Sequence, residues 1–187
     1  VRAPQRSEDL PGGDVRSGAR KMSTILSSDG KYRYRLEREW DMFNKLRVCF
    51  IMLNPSTADA ERDDPTIRRC ISFAKRWGYG GLIVVNLYAF RATDPSKLWK
   101  LSAADALGPL NVTHVALALE DCDRAIAAWG AYAPPPAIAD LLRSTKRLVE
   151  AFVPRTKHGH PRHPLYVRGD AETEEYELSA LPSAVAP

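Results

Sequence analysis

Apolar and polar positions along this chain follow two rhythms. Val48 to Leu53 is an unbroken apolar run, and Leu82 to Leu87 is another, interrupted only by Asn86. A run of strand length that is apolar at every position predicts a strand covered on both faces. Between them Ile67, Cys70, Ile71, Ala74 and Trp77 recur at helical spacing. Asp63 and Asp64 offer an N-cap acid, Pro65 suits the first helical position, and Gly78, Gly80 and Gly81 end the segment. The stretch from Val48 to Leu87 therefore predicts a β-α-β unit, with its polar loop directly after the first strand.

The flanking segments are weaker versions of the same two patterns. From Lys31, Tyr32, Tyr34 and Leu36 alternate with Lys31, Arg33, Arg35 and Glu37, which predicts a half-buried strand at a sheet edge. Ser96 to Leu101 and Asn111 to Glu120 read as helices, and Arg124 to Ala128 as a short strand closed by Trp129-Gly130. After a linker over Ala133 to Pro136, the residues Ile138, Leu141, Leu142, Leu148 and Phe152 mark an amphipathic helix. His163 to Val167 leads into a final short strand or extended segment. No internal repeat is visible. This order predicts an α/β fold, a three-layer α/β/α sandwich around a central, mostly parallel sheet. Residues 1–21 read as a disordered leader, 22–169 as a single domain, and 170–187 as an acidic, solvated tail.

Composition narrows the class. The 187 residues suit one domain with a real core. No apolar run approaches the roughly 20 residues needed to cross a bilayer, and the first residues carry charge where a signal peptide needs an apolar stretch. The expectation is a soluble cytoplasmic protein without a membrane partner. Three cysteines, Cys49, Cys70 and Cys122, with no paired spacing, argue buried free thiols rather than disulfides or a zinc site. The net charge of +4 understates the basic middle, because the stretch from Asp170 onward holds five acids, Asp170, Glu172, Glu174, Glu175 and Glu177, and no Lys or Arg. That balance allows nucleic acid or another phosphate-bearing partner without demanding one.

The densest chemistry follows the first buried strand: Asn54-Pro55, Ser56, Thr57, Asp59, Arg62, Asp63 and Asp64. Loops at the carboxyl ends of strands are where open α/β sheets bind ligands. The strings LNPSTAD…DDPTIRRC, VNLYAFRATDP, AWG and TKHGHPRHPLY, in that order over roughly residues 30–168, resemble the family known as domain of unknown function 1643, found in bacteria and phages. Leader and tail fall outside this resemblance, and Ala151-Phe-Val-Pro-Arg is looser than the family pattern. More distantly, the layout is similar to the uracil-DNA glycosylase superfamily. Met52-Leu53-Asn54-Pro55 resembles the Gly-Ile-Asn-Pro motif of its mismatch-specific branch, and His163-Pro164 resembles its closing His-Pro turn.

What that second resemblance implies is a nucleobase or nucleotide recognised in a DNA context, with hydrolysis of an N-glycosidic bond and no cofactor. Such a reaction needs a positioned water, a donor for the departing base and an aromatic platform. Asn54 would hold the water, assisted by Asp59, Asp63 or Asp64, and His163 would donate to a base oxygen. Asn86 would read a base edge, Tyr88 or Phe90 would stack, and Ser56 and Thr57 would complete the ligand contacts. Arg62, Arg91, Lys157 and Arg162 would take phosphates.

Blander readings stand beside these. Asn54 before proline can cap a turn, Asp63 and Asp64 can serve the helix terminus, and Tyr88 and Phe90 can be core residues on one strand face. A binding module without catalysis needs the same rim and loops. His158, His160 and His163 also admit a metal-dependent hydrolase, although Pro161 interrupts the run and Lys157 and Arg162 crowd it with positive charge. We expect no metal there.

Overall fold

The computed structural model describes residues 21–56 and 63–181. The predicted β-α-β unit is present: β3 (Arg47–Met52), α1 (Pro65–Arg76) and β4 (Gly81–Asn86). β3 and β4 are parallel and adjacent, with Val48 opposite Leu82 and Met52 opposite Asn86. Asp64 caps α1 by accepting a hydrogen bond from the Ile67 N–H at 2.8 Å, and Pro65 follows it. This satisfies one of the donors that a helix start leaves open.

Seven strands form one mixed sheet in the order β1-β2-β4-β3-β5-β6-β7. Its parallel centre is β4, β3, β5 (Arg124–Ala127) and β6 (Val149–Phe152). At one margin β2 (Arg33–Glu39) pairs antiparallel with β4 and β1 (Lys21–Leu26) antiparallel with β2, and at the other β7 (Thr173–Glu175) pairs antiparallel with β6. The fold is α/β, with four α-helices among the described residues, of which α2 (Ala103–Leu107) is the shortest. None of these helices is long and apolar enough to cross a membrane.

Alternation along β3 divides the core. Val48, Phe50 and Met52 pack with Ile67, Phe73 and Ala74 of α1. Cys49, Ile51 and Leu53 pack instead with Val115 and Leu119 of α3 (Asn111–Glu120) and Ile138 and Leu142 of α4 (Pro136–Ser144). A strand's side chains point to opposite faces in turn, so an unbroken apolar run is what a strand covered on both faces requires. The three cysteines are buried and free, as their spacing indicates.

Three expectations need correction. First, β2 is not at the edge, because β1 covers it, and Arg33, Arg35 and Arg38 are all buried. Simple alternation fails because the β1–β2 register slips: Ile25 opposes Arg35 while Leu26 opposes Arg33. Such a bulge exchanges the faces used before and after it. Tyr34 accordingly stacks on His114 of α3 and Arg35 pairs with Asp121 at that helix's end, while Arg38 pairs with Asp63 at the start of α1.

Second, the apolar spacing from Ile138 to Phe152 is not one helix. α4 stops at Ser144, Thr145 is extended and accepts a hydrogen bond from the Arg147 N–H, and Val149 and Ala151 enter the sheet opposite Ala125 and Ala127. Pairing along β5 wins over helical spacing. Third, the final strand that His163 to Val167 leads into does not follow directly: these residues form a 3-10 turn over Pro164–Tyr166, because His163 caps the turn and Pro164 lacks an N–H for a ladder, and the strand comes later, as β7. The acidic segment after Asp170, read as a solvated tail, contributes β7, and Leu181 is buried.

Arg38 is fully buried, and its Nε lies 2.8 Å from Asp63 Oδ1, itself nearly buried. Removing one partner strips the other charge of this ion pair in the interior. Asp63→Asn should therefore lower the unfolding free energy by about 3–5 kcal/mol in urea titrations. Asp170→Asn, which breaks an exposed pair with Arg168, should leave the midpoint unchanged. Equal effects from the two would show that Arg38 finds its compensation elsewhere.

Candidate functional site

β3 sends its chain through α1 on one face, and β5 sends its chain through α4 on the other. Adjacent parallel strands whose connections part in this way leave a crevice at their carboxyl ends. A cavity of about 590 Å³ lies there, within the roughly 300–1,000 Å³ of small-molecule sites. Its walls come from the exits of β3, β4 and β5, the first turn of α1 and the segment from Thr156 to Tyr166. Gly130, at φ +84°, turns the chain out of β5 beside it, a conformation side chains rarely adopt.

Asn54, Asn86 and His163 all line this cavity, and so does Asp64. Asn54 follows Met52 on the α1 face, and its amide nitrogen donates to the carbonyls of Ala92 at 2.8 Å and Pro55 at 3.2 Å. Its Oδ1 accepts nothing from the described residues. Ser56 donates through Oγ to Asp64 Oδ2 at 2.9 Å, so the loop after β3 is tied to the start of α1. Each Asp64 oxygen, with one such bond from Ser56 or Ile67, keeps a further lone pair.

Asn86 shares its face of β4 with Val84, which packs against α1 and lines the same cavity. It is 1% exposed and its amide nitrogen has no hydrogen-bond partner. Buried donors are nearly always paired, so an orphan on a cavity wall marks a place for an acceptor. The strand end is itself fixed: Asn111, buried at the start of α3, donates its amide to the carbonyls of Asn86 at 3.0 Å and Leu87 at 3.1 Å. Sequence reading missed Asn111, since nothing in its spacing distinguishes it from a helix N-terminal residue.

His163 is held from two sides. Its Nδ1 accepts from the Leu165 N–H at 3.3 Å, which leaves Nε2–H as the donor of the neutral ring. Arg69 of α1 donates to the carbonyls of Val167 at 2.6 Å and Pro164 at 3.4 Å, fixing the turn that carries the imidazole. Burial lowers the His163 pKa, and the Asp64 carboxylate offsets part of that shift.

One cavity residue contradicts its sequence pattern. Arg33, on the polar side of the alternation, is 5% exposed and lines the cavity, because the bulge after it turns it toward α1. Its guanidinium makes no hydrogen bond or ion pair with the described residues, and its buried Nε has no acceptor. Burial lowers its pKa to about 10; Asp64 opposes the shift and Arg91 and Arg38 add to it. Arg33 thus stays charged at neutral pH. Arg162 also lines the cavity, its Nε donating to Pro154 O at 2.7 Å.

The other candidates lie apart from the cavity. Tyr88 meets the edge of Trp99 at 5.7 Å and Phe90 the edge of Tyr32 at 6.0 Å, as packing residues. Arg91 donates to Gly30 O at 3.0 Å, Asp63 pairs with Arg38, and Lys157 is exposed. His158 and His160 line a separate cavity with Arg155 and Glu175, so the three histidines do not converge. No group of three or more His, Cys, Asp or Glu among the described residues could hold a metal ion. Thr57, Asp59 and Arg62 lie outside the described residues. Tyr132 and Tyr166, which sequence reading did not single out, supply aromatic surface to the cavity.

Because burial lowers the His163 pKa from the ordinary 6.5, the unfolded chain takes up the proton first as pH falls. The stability His163 contributes is whole above that value and is lost below it. Between about pH 7.5 and about pH 5 the wild-type melting temperature should fall further than that of His163→Gln. Parallel acid limbs would show that His163 is not held neutral.

No curated protein and no solved structure matches this chain. The family model described as "Protein of unknown function (DUF1643)" matches residues 33–165, which span every cavity segment from Arg33 to His163, and the chain belongs to that family.

Proposed function

We propose that the cavity receives a nucleobase carried by a nucleotide or a DNA strand, and that the loop after β3 promotes hydrolysis of its N-glycosidic bond. The observation that carries this reading is the meeting of Asn54, Asn86 and His163, from three separate segments, over one cavity that also holds the Asp64 carboxylate. Helices that pack on both faces of the sheet support the further reading of a three-layer sandwich of uracil-DNA glycosylase type.

Each residue has a definite task in this scheme. Asn86, with its unpaired amide, reads an acceptor on the base edge. Tyr132 and Tyr166 offer flat surface, a role Tyr88 and Phe90 do not fill. Asn54 Oδ1 accepts a hydrogen bond from the attacking water, whose oxygen bonds to C1′ of the sugar as the C1′–N bond breaks. The electron pair of that bond leaves on the base, where a hydrogen bond from His163 Nε2–H stabilises it. Asp64 stabilises the oxocarbenium-like sugar and takes the water proton. A base in duplex DNA must first be flipped out of its stack.

A second reading, a binding module without catalysis, is favoured by one fact. Both oxygens of Asp64 already accept hydrogen bonds, from Ile67 and Ser56, so the carboxylate has a structural task without any reaction.

The two readings separate in a base-excision assay with labelled single- and double-stranded oligonucleotides carrying uracil, mismatched or modified bases. Asp64→Asn keeps an N-cap side chain, so its melting temperature should hold while cleavage falls by about 10²-fold or more. Asn54→Ala and His163→Ala should also lose cleavage. Binding without cleavage of any substrate, weakened by Asn86→Ala, would establish the binding module; no binding in the panel would sink both.

A further inference from the structure

The least expected group in the cavity wall is Arg33. A buried guanidinium normally faces a carboxylate, because taking a charge out of water costs several kcal/mol even after relaxation. The other deeply buried arginines of β2 obey this rule, Arg35 with Glu37 and Asp121, and Arg38 with Asp63. Arg33, two residues away, has no such partner among the described residues, although Asp64 lines the same cavity. The contrast within one strand sets Arg33 apart from a structural arginine.

We propose that Arg33 is the anion subsite of this cavity and that the anion is a phosphate group of the ligand, a monoester or a phosphodiester. This rests on the reading of the cavity as a nucleobase site, and extends it from the base to the group attached through the sugar. The planar fork of a guanidinium matches phosphate oxygens two at a time, and a buried fork does so with little competition from water. Arg162, half-buried in the lining of the same cavity with its Nε tied to Pro154, brings a second cation to it. Asn86 then stands for the base, Arg33 for the phosphate, and the cavity for the sugar between them.

The subsite also accounts for the bulge in β2. With regular alternation the residue at position 33 would share the face of Arg35, toward α3. The slip in register places it toward α1 and the cavity.

The test uses the whole chain, inorganic phosphate, a set of nucleosides with their 5′-monophosphates, and a short single-stranded oligodeoxynucleotide. Phosphate alone should raise the melting temperature of the wild type and not of Arg33→Met. Each bound monophosphate should have an affinity at least about tenfold above that of its nucleoside, and the gap should close in Arg33→Met with nucleoside affinity unchanged. Without ligand, Arg33→Met should melt no lower than wild type, since it removes an uncompensated charge. Should that variant not fold, Arg33→Lys serves, with the charge kept and the fork lost, and the gap should narrow. A monophosphate stronger than the oligonucleotide identifies a free nucleotide as the source, and the reverse order a phosphodiester. Phosphate binding that depends on Arg33 while no nucleoside or nucleotide binds would retain the anion subsite and end the base reading. Equal affinities for nucleoside and monophosphate, with no response to phosphate, would overturn the subsite and leave the base reading intact. No response to any of the probes would overturn both.

Discussion

A strand buried on both faces has no place for a polar side chain except at its ends, and β3 is such a strand. Because Val48 to Met52 give one face to α1 and the other to α3 and α4, the chain can turn polar only on leaving the sheet at Asn54. The same constraint applies to β4, which ends in Asn86. Parallel alignment puts these two exits side by side, with Met52 opposite Asn86. The polar content of the cavity is thus a consequence of how thoroughly the strands beneath it are dried.

Asp63 and Asp64 show how neighbouring residues of one type are given unlike tasks. Asp63 answers the fully buried Arg38 and belongs to the interior, while Asp64 caps α1 and looks into the cavity. The first makes the second possible, because the pair with Arg38 anchors the start of α1 to β2. Nothing in the dipeptide Asp-Asp tells them apart. The partner does, and it lies far away in the chain.

The β-α-β unit was legible because its apolar runs, its N-cap acid and its proline all point to the same local structure. Asn54 and Asn86 were legible as cavity residues because each sits where an apolar strand stops, Asp64 because it stands before the proline that opens α1, and His163 through its His-Pro pair. Arg33 was not, since its position depends on a register slip whose cause lies in the pairing of two strands rather than in either one. Helical spacing from Ile138 to Phe152 was genuine but ambiguous, and only the presence of β5 as a partner decides it for β6. Tyr88 and Phe90, adjacent in sequence to Asn86, were drawn into the site by proximity along the chain. Trp99 and Tyr32, which hold them elsewhere, come from other segments.

α1 holds two walls of the cavity at once. Its first turn presents Asp64, and Arg69 one turn later grips the carbonyls of Pro164 and Val167 on either side of the turn led by His163. A translation of this helix along its axis would carry the carboxylate and the imidazole in the same direction and leave Asn54 and Asn86, rooted in the sheet, behind. Where these walls stand is thus bound to how one helix is seated on the sheet, and the aromatic contacts of Phe73 and Trp77 with Phe50 and Phe152 are what seat it.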